Sequence, residues 1–134
     1  MADCELSNHD PGTSGGFAGL YVMGTGAEFD DDGGFVTLTR CSILRNNAEN
    51  GGAAVSLQEG YVTLNACNIS DNTASSGNGY LVYVSGGTLN MIDCVLTGNK
   101  RGTGTGAGGL IQYEGASVQL WFQTLLVKFI FLQS

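Results

Sequence analysis

The sequence predicts an all-β chain wound as a right-handed parallel β-helix (a β-solenoid) of about 26 residues per coil, with four to five coils. Three observations predict it. Cys4, Cys41, Cys67 and Cys94 each open a segment reading Cys-x-(Ile/Leu), then Asn, then glycines, then an apolar run, and the starts lie 37, 26 and 27 residues apart. Within each segment the apolar residues fall at i and i+2, the period of a strand. Turn residues separate the runs, and the chain holds 22 glycines against a single proline. A β-sandwich also uses short, evenly spaced strands, but it does not explain why equivalent strands carry equivalent sequence. Right-handed winding follows from the strong bias of parallel connections. Left-handed β-helices carry hexapeptide repeats, and no six-residue period occurs here.

Taken in chain order, the first strand of a coil lies upstream of its cysteine. Its copies are Val36-x-Leu38, Val62-x-Leu64, Leu89-x-Met91 and a degenerate Val118-x-Leu120. Leu38 and Cys41 are three residues apart, so the chain must bend between them if both are to face inward. The second strand is Cys41-x-Ile43, Cys67-x-Ile69 and Cys94-x-Leu96, with Gln123-x-Leu125 as its degenerate copy. Asn46, Asn72 and Asn99 follow five residues after cysteine. Asparagine there is expected to take the left-handed turn and to bond its counterparts as a side-chain amide ladder. In the first coil Asn8 comes one residue early and His9 holds the ladder position. The third strand is expected at 20–22, 53–57, 80–84 and 110–113, closed by Gly60, Gly86-Gly87 and Gly115. A coil thus reads as three strands and three corners, each strand pairing with its counterpart about 4.8 Å along the axis. The whole chain, 1–134, reads as a single β-solenoid domain with coils starting near the four cysteines and 124–134 as an apolar tail or cap.

The run Ile43-Leu44-Arg45-Asn46-Asn47-Ala48-Glu49-Asn50-Gly51-Gly52-Ala53-Ala54 resembles the repeat of chlamydial polymorphic outer-membrane proteins, which alternates F-x-x-N with G-G-A-I. Ile43, Ile69 or Leu96 stands where that family has its aromatic, and one copy keeps Gly-Gly-Ala. The likeness covers roughly residues 36–118 and extends to related surface β-helix proteins. It implies an adhesive or structural surface stalk and carries over no catalytic residue.

Composition excludes some functions. The net charge is −7, and the five basic residues Arg40, Arg45, Lys100, Arg101 and Lys128 do not gather, so nucleic acid is not an expected partner. Residues 1–10 hold no apolar core of a secretory signal, although the first coil begins by residue 4, as in a mature product or a fragment. The triplet Asn68-Ile69-Ser70 is a glycosylation sequon consistent with secretion, and an extracellular or cell-surface location is the expectation.

The cysteines fit a buried thiol column, because free Cys is among the most buried residues. One strand spacing also lies within disulfide range, and a metal site would lack paired C-x-x-C ligands. The acidic loop with Asp30, Asp31 and Asp32 is a weak Ca²⁺ candidate that lacks EF-hand and nonapeptide spacing, which favours a solvated loop. No cofactor is expected. Catalysis is not expected either: Asp71 aligns with Arg45 and Gly98, and Asp93 with Ala66 and Arg40, so neither acid has an acidic partner. Asp71 beside Arg45 reads as a surface ion pair. A threonine ladder of the ice-binding kind begins at Thr37 and Thr63 but is lost at Asn90 and Gln119.

Near the C-terminus Trp121, Phe122, Phe129, Ile130 and Phe131 form an apolar stretch interrupted by Gln123, Thr124 and Lys128, so it is not read as a membrane span. It is either a closing strand and cap or an assembly contact. The expected function is a non-enzymatic structural or adhesive module that self-associates or joins a larger assembly end to end. The alternative is a carbohydrate-binding module using a polar strand face.

Overall fold

The computed structural model describes residues 1–10, 19–22, 34–49, 51–75, 79–100, 111–113, 117–121 and 132–133. Among these residues the chain is all-β, without a helix, and every strand pairing is parallel.

The alternation of apolar and polar residues fixes which face of each strand is buried. Strands β3 (Phe35–Thr39), β7 (Tyr61–Asn65), β11 (Thr88–Ile92) and β14 (Ser117–Trp121) form one sheet in the order β14-β11-β7-β3. Their register sets Val36 against Val62 and Val62 against Leu89, and likewise Leu38 against Leu64 and Leu64 against Met91. A slip of one residue would move each of these side chains into water, so the apolar pattern holds the register. The second sheet is β1 (Glu5–Ser7), β4 (Ser42–Leu44), β8 (Asn68–Ser70) and β12 (Val95–Thr97), with Leu6, Ile43, Ile69 and Leu96 in line.

A third sheet runs in the order β15-β13-β10-β6-β2. It contains β2 (Leu20–Val22), β6 (Gly51–Leu57), β10 (Gly79–Val84), β13 (Ile111–Tyr113) and β15 (Leu132–Gln133). Leu20, Val55, Val82 and Ile111 share a level-to-level line. All three sheets turn one face onto a single core that includes Leu64 and Met91 from the first, Ile43 and Ile69 from the second, and Val55 and Val82 from the third.

Three expectations change. First, a fourth sheet pairs β5 (Asn47–Ala48) with β9 (Thr73–Ala74), so a repeat holds four strands where the sequence reading had three. Ala48, Ala53 and Ala74 form a small separate cluster beneath it, small enough to let the chain turn tightly. Second, Asn46, Asn72 and Asn99 do not take the left-handed conformation. The residue before each does: Arg45 (φ 51°), Asp71 (φ 56°) and Gly98 (φ 65°), with Asn8 (φ 58°) in the first repeat. A second left-handed column precedes the cysteines, at Asp3, Arg40, Ala66 and Asp93, with φ of 50–52°. Each non-glycine residue there costs about 1–2 kcal/mol. Backbone bonds between repeats offset that cost, among them Arg40 N–H to Asn65 O at 2.9 Å and Arg45 N–H to Ser70 O at 3.1 Å. Third, Arg45 reaches Glu5 at 3.4 Å and Asn8 at 3.2 Å instead of Asp71.

Leu132 pairs with Ile111 and Gln133 with Gln112, adding a fifth level to the third sheet. Residues 122–131 lie outside the described residues. At the other end Met1–Asp3 are seated on β3: the amino group donates to Thr37 O at 2.9 Å, and Thr39 N–H donates to Met1 O at 2.9 Å.

Gly87 shows how closely the repeats approach. Its φ is 78°, and a Cβ there would run into the backbone of Gly60 in the preceding repeat. Gly87→Ala is therefore expected to destabilise by more than about 1 kcal/mol, read as a lower urea midpoint.

Candidate functional site

The residues singled out from the sequence assemble into two internal ladders. Asn46, Asn72 and Asn99 stack one above another: Asn46 Nδ2 donates to Asn72 Oδ1 at 3.0 Å, and Asn72 Nδ2 donates to Asn99 Oδ1 at 3.0 Å. Each amide oxygen also accepts a backbone bond, from Asn46 N–H to Asn72 and from Asn72 N–H to Asn99, both at 3.0 Å. The second proton of each Nδ2 goes to a carbonyl one repeat back: Leu6 O at 3.0 Å, Ile43 O at 2.8 Å and Ile69 O at 2.8 Å. His9 extends the ladder through its main chain, its N–H donating to Asn46 Oδ1 at 3.0 Å. Asn46 and Asn72 are buried, which is tolerable for an amide only when it is bonded in this way.

The cysteines form the second column. Cys41, Cys67 and Cys94 are 1%, 1% and 3% exposed, and Ser42, Asn68 and Val95, one residue on, turn away from the core. The column is not uniformly reduced. Cys4 and Cys41 form a disulfide with Cα atoms 4.5 Å apart, while Cys67 and Cys94 are free. Geometry permitted this bond, since one strand spacing falls at the short end of the disulfide window. The Cys94 thiol donates to Leu64 O at 3.3 Å. Its neighbour Cys67 and burial both push the Cys94 thiol up, keeping it protonated and unreactive. In the folded protein a thiol reagent is expected to label no cysteine, and after denaturation without reductant it should label Cys67 and Cys94 alone. Rapid labelling of the native chain would overturn the buried column.

The outer surface at the corners carries charge. Arg40 forms a two-pronged pair with Asp3, at 2.9 and 2.8 Å. The hydrogen bond from Arg40 and, secondarily, its charge hold the Asp3 carboxyl below its ordinary value. Both side chains are exposed, so the pair adds little stability. Phe35 stacks on Tyr61 with ring centroids 4.8 Å apart and planes within 5°, which continues the strand spacing on the outside of the first sheet. An open recess of about 260 Å³ beside β1 is lined by Glu5, Leu6, Ser7, His9, Gly19 and Asn46.

Asp30, Asp31 and Asp32 lie outside the described residues, as do Phe122, Phe129, Ile130 and Phe131. Trp121 ends β14, level with Ile92. Among the described residues no group of three or more His, Cys, Asp or Glu is placed to hold a metal ion, and no helix is long and apolar enough to cross a membrane. Asn68 is exposed at the start of β8.

Sequence reading missed the two left-handed columns and the aromatic stack. The columns occupy one fixed offset on either side of the cysteine pattern, and that offset was the available signal. No protein family, no curated protein and no solved structure matches the chain.

Proposed function

We propose that the chain is a non-enzymatic β-solenoid module, a right-handed parallel β-helix over 1–134 that serves as a structural or adhesive building block and stacks end to end into a surface assembly or filament. One observation carries this reading. Among the described residues, β1 and β2 at one end and β12 at the other are outermost strands of their sheets. Parallel strand edges of that kind are templates for another chain. A head-to-tail contact between unlike ends propagates unless rotation closes it. The asparagine ladder supports the direction, because its amide-to-amide bonds run one way, from Asn46 Nδ2 to Asn72 Oδ1 and from Asn72 Nδ2 to Asn99 Oδ1.

An extracellular or cell-surface setting agrees with the Cys4–Cys41 disulfide, since such bonds persist in oxidising compartments. The resemblance to chlamydial polymorphic outer-membrane repeats points the same way. The non-enzymatic reading is supported by the corner columns, in which Asp71 lies between Arg45 and Gly98 and Asp93 follows Ala66.

A carbohydrate-binding role is the second reading. It is favoured by the outward line Thr37, Thr63 and Asn90 on the first sheet, which has no charged member and lies beside the Phe35–Tyr61 stack. Light scattering over a concentration series, with electron microscopy of the same samples, separates the two. Growth into rods or filaments supports stacking. A chain that stays monomeric throughout defeats it, and a monomer that binds on a glycan array would establish the second reading instead.

A further inference from the structure

We propose that Asn68 is a site of N-linked glycosylation, carrying its glycan on the outer face of the second sheet. The sequon Asn68-Ile69-Ser70 is folded as β8, whose alternation separates the acceptor from the core: Asn68 is exposed, whereas Ile69 is fully buried between Ile43 and Leu96. The same alternation turns Ser42 and Val95 outward at this register position, so the acceptor stands on the solvent side of the sheet. The other asparagines of the repeat pattern, Asn46, Asn72 and Asn99, commit amide protons to Leu6 O, Ile43 O and Ile69 O.

Space around Asn68 suits a glycan. Its partners on the neighbouring strands are Ser42 and Val95, a small half-buried hydroxyl and an exposed valine. A sugar on Nδ2 therefore points into solvent and leaves every inter-strand bond of β8 in place. The disulfide between Cys4 and Cys41 is an independent sign of the oxidising secretory compartment in which such transfer occurs. In the transfer a bond forms from Asn68 Nδ2 to the anomeric carbon of an oligosaccharide. The bond from that carbon to the diphosphate of an isoprenoid-linked donor breaks, and one amide proton leaves with the diphosphate. No oxidant or reductant is needed.

This inference does not rest on end-to-end stacking. A glycan on the face of the second sheet would shield that side from lateral contact while leaving both ends of the stack open.

The test is translation of the full chain, behind a cleavable secretory leader, in the presence of eukaryotic microsomes. The expected result is a single upward mobility shift that peptide N-glycosidase removes, leaving aspartate at position 68 in the mass spectrum. Asn68→Gln and Ser70→Ala should each abolish the shift, and Ser70→Thr should keep it. Protease protection shows that the chain entered the microsomes independently of whether it folds. A protected chain with Asn68 unmodified would overturn the proposal, as would a shift that survives Asn68→Gln.

Discussion

Asn72→Ala is expected to lower the free energy of unfolding by about 3–5 kcal/mol, among the largest losses available from a single polar side chain here. The amide is fully buried and meets four groups: Asn46 N–H, Asn46 Nδ2, Ile43 O and Asn99 Oδ1. Truncation leaves buried donors and an acceptor without partners, each costing about 1–3 kcal/mol. Asn99→Ala should cost less, because that side chain is only partly buried. Urea unfolding reads both, through midpoints that shift at unchanged slope. Equal small losses at the two positions would show that the ladder contributes little.

Leu64→Ala should cost about 2–5 kcal/mol for an apolar reason. Leu64 is fully buried, with Leu38 on one side and Met91 on the other at the same register position. Neighbouring strands are held by continuous parallel ladders, so the backbone cannot collapse into the vacated space and much of the cavity term remains. Leu64→Met keeps the volume and should cost less than about 1.5 kcal/mol. Val95→Ala, one residue beyond the buried Cys94 but facing water, should stay within about 0.5 kcal/mol. If Leu64→Ala proved as mild as Val95→Ala, the assignment of Leu64 to the core would be wrong.

Much of the fold was legible because inward positions are chemically constrained in every repeat. Once Cys41 is aligned with Cys67, the alternation Val36, Leu38 against Val62, Leu64 follows, and the observed register pairs the same residues. The third strand was legible for the same reason, with Leu20 opposite Val55 and Val55 opposite Val82. The two-residue strands β5 and β9 were not, since Asn47–Ala48 and Thr73–Ala74 are too short to show a period. The left-handed corners escaped notice because Asp, Arg, Ala, Asn and Gly all occupy them. Bonds from the next repeat hold those backbones, so no one residue type is demanded.

The candidate site was legible only as a set of ladders. Alignment put Asn46, Asn72 and Asn99 in one column, and the column implied amide-to-amide bonding. It could not say which cysteines join, because any neighbouring pair satisfies the distance condition. For Arg45 it pointed to the wrong side, to Asp71 in the following repeat, whereas the guanidinium reaches Glu5 in the preceding one. Those choices depend on side-chain reach, which repeat periodicity does not encode.

The unequal spacing of the repeats bears on how such a chain can be altered. The connection from Val22 to Phe35 is longer than those from Leu57 to Tyr61 and from Val84 to Thr88, yet Cys4 still meets Cys41 and His9 still meets Asn46 across 37 residues. Lengthening an excursion costs only about 0.6 kcal/mol per doubling, because the closing contacts stay the same. This connection is thus a port for foreign sequence. An epitope or a small folded domain grafted between Val22 and Phe35 should be displayed from the side of the molecule without disturbing the levels above and below, and a string of such chains would present it at a fixed interval.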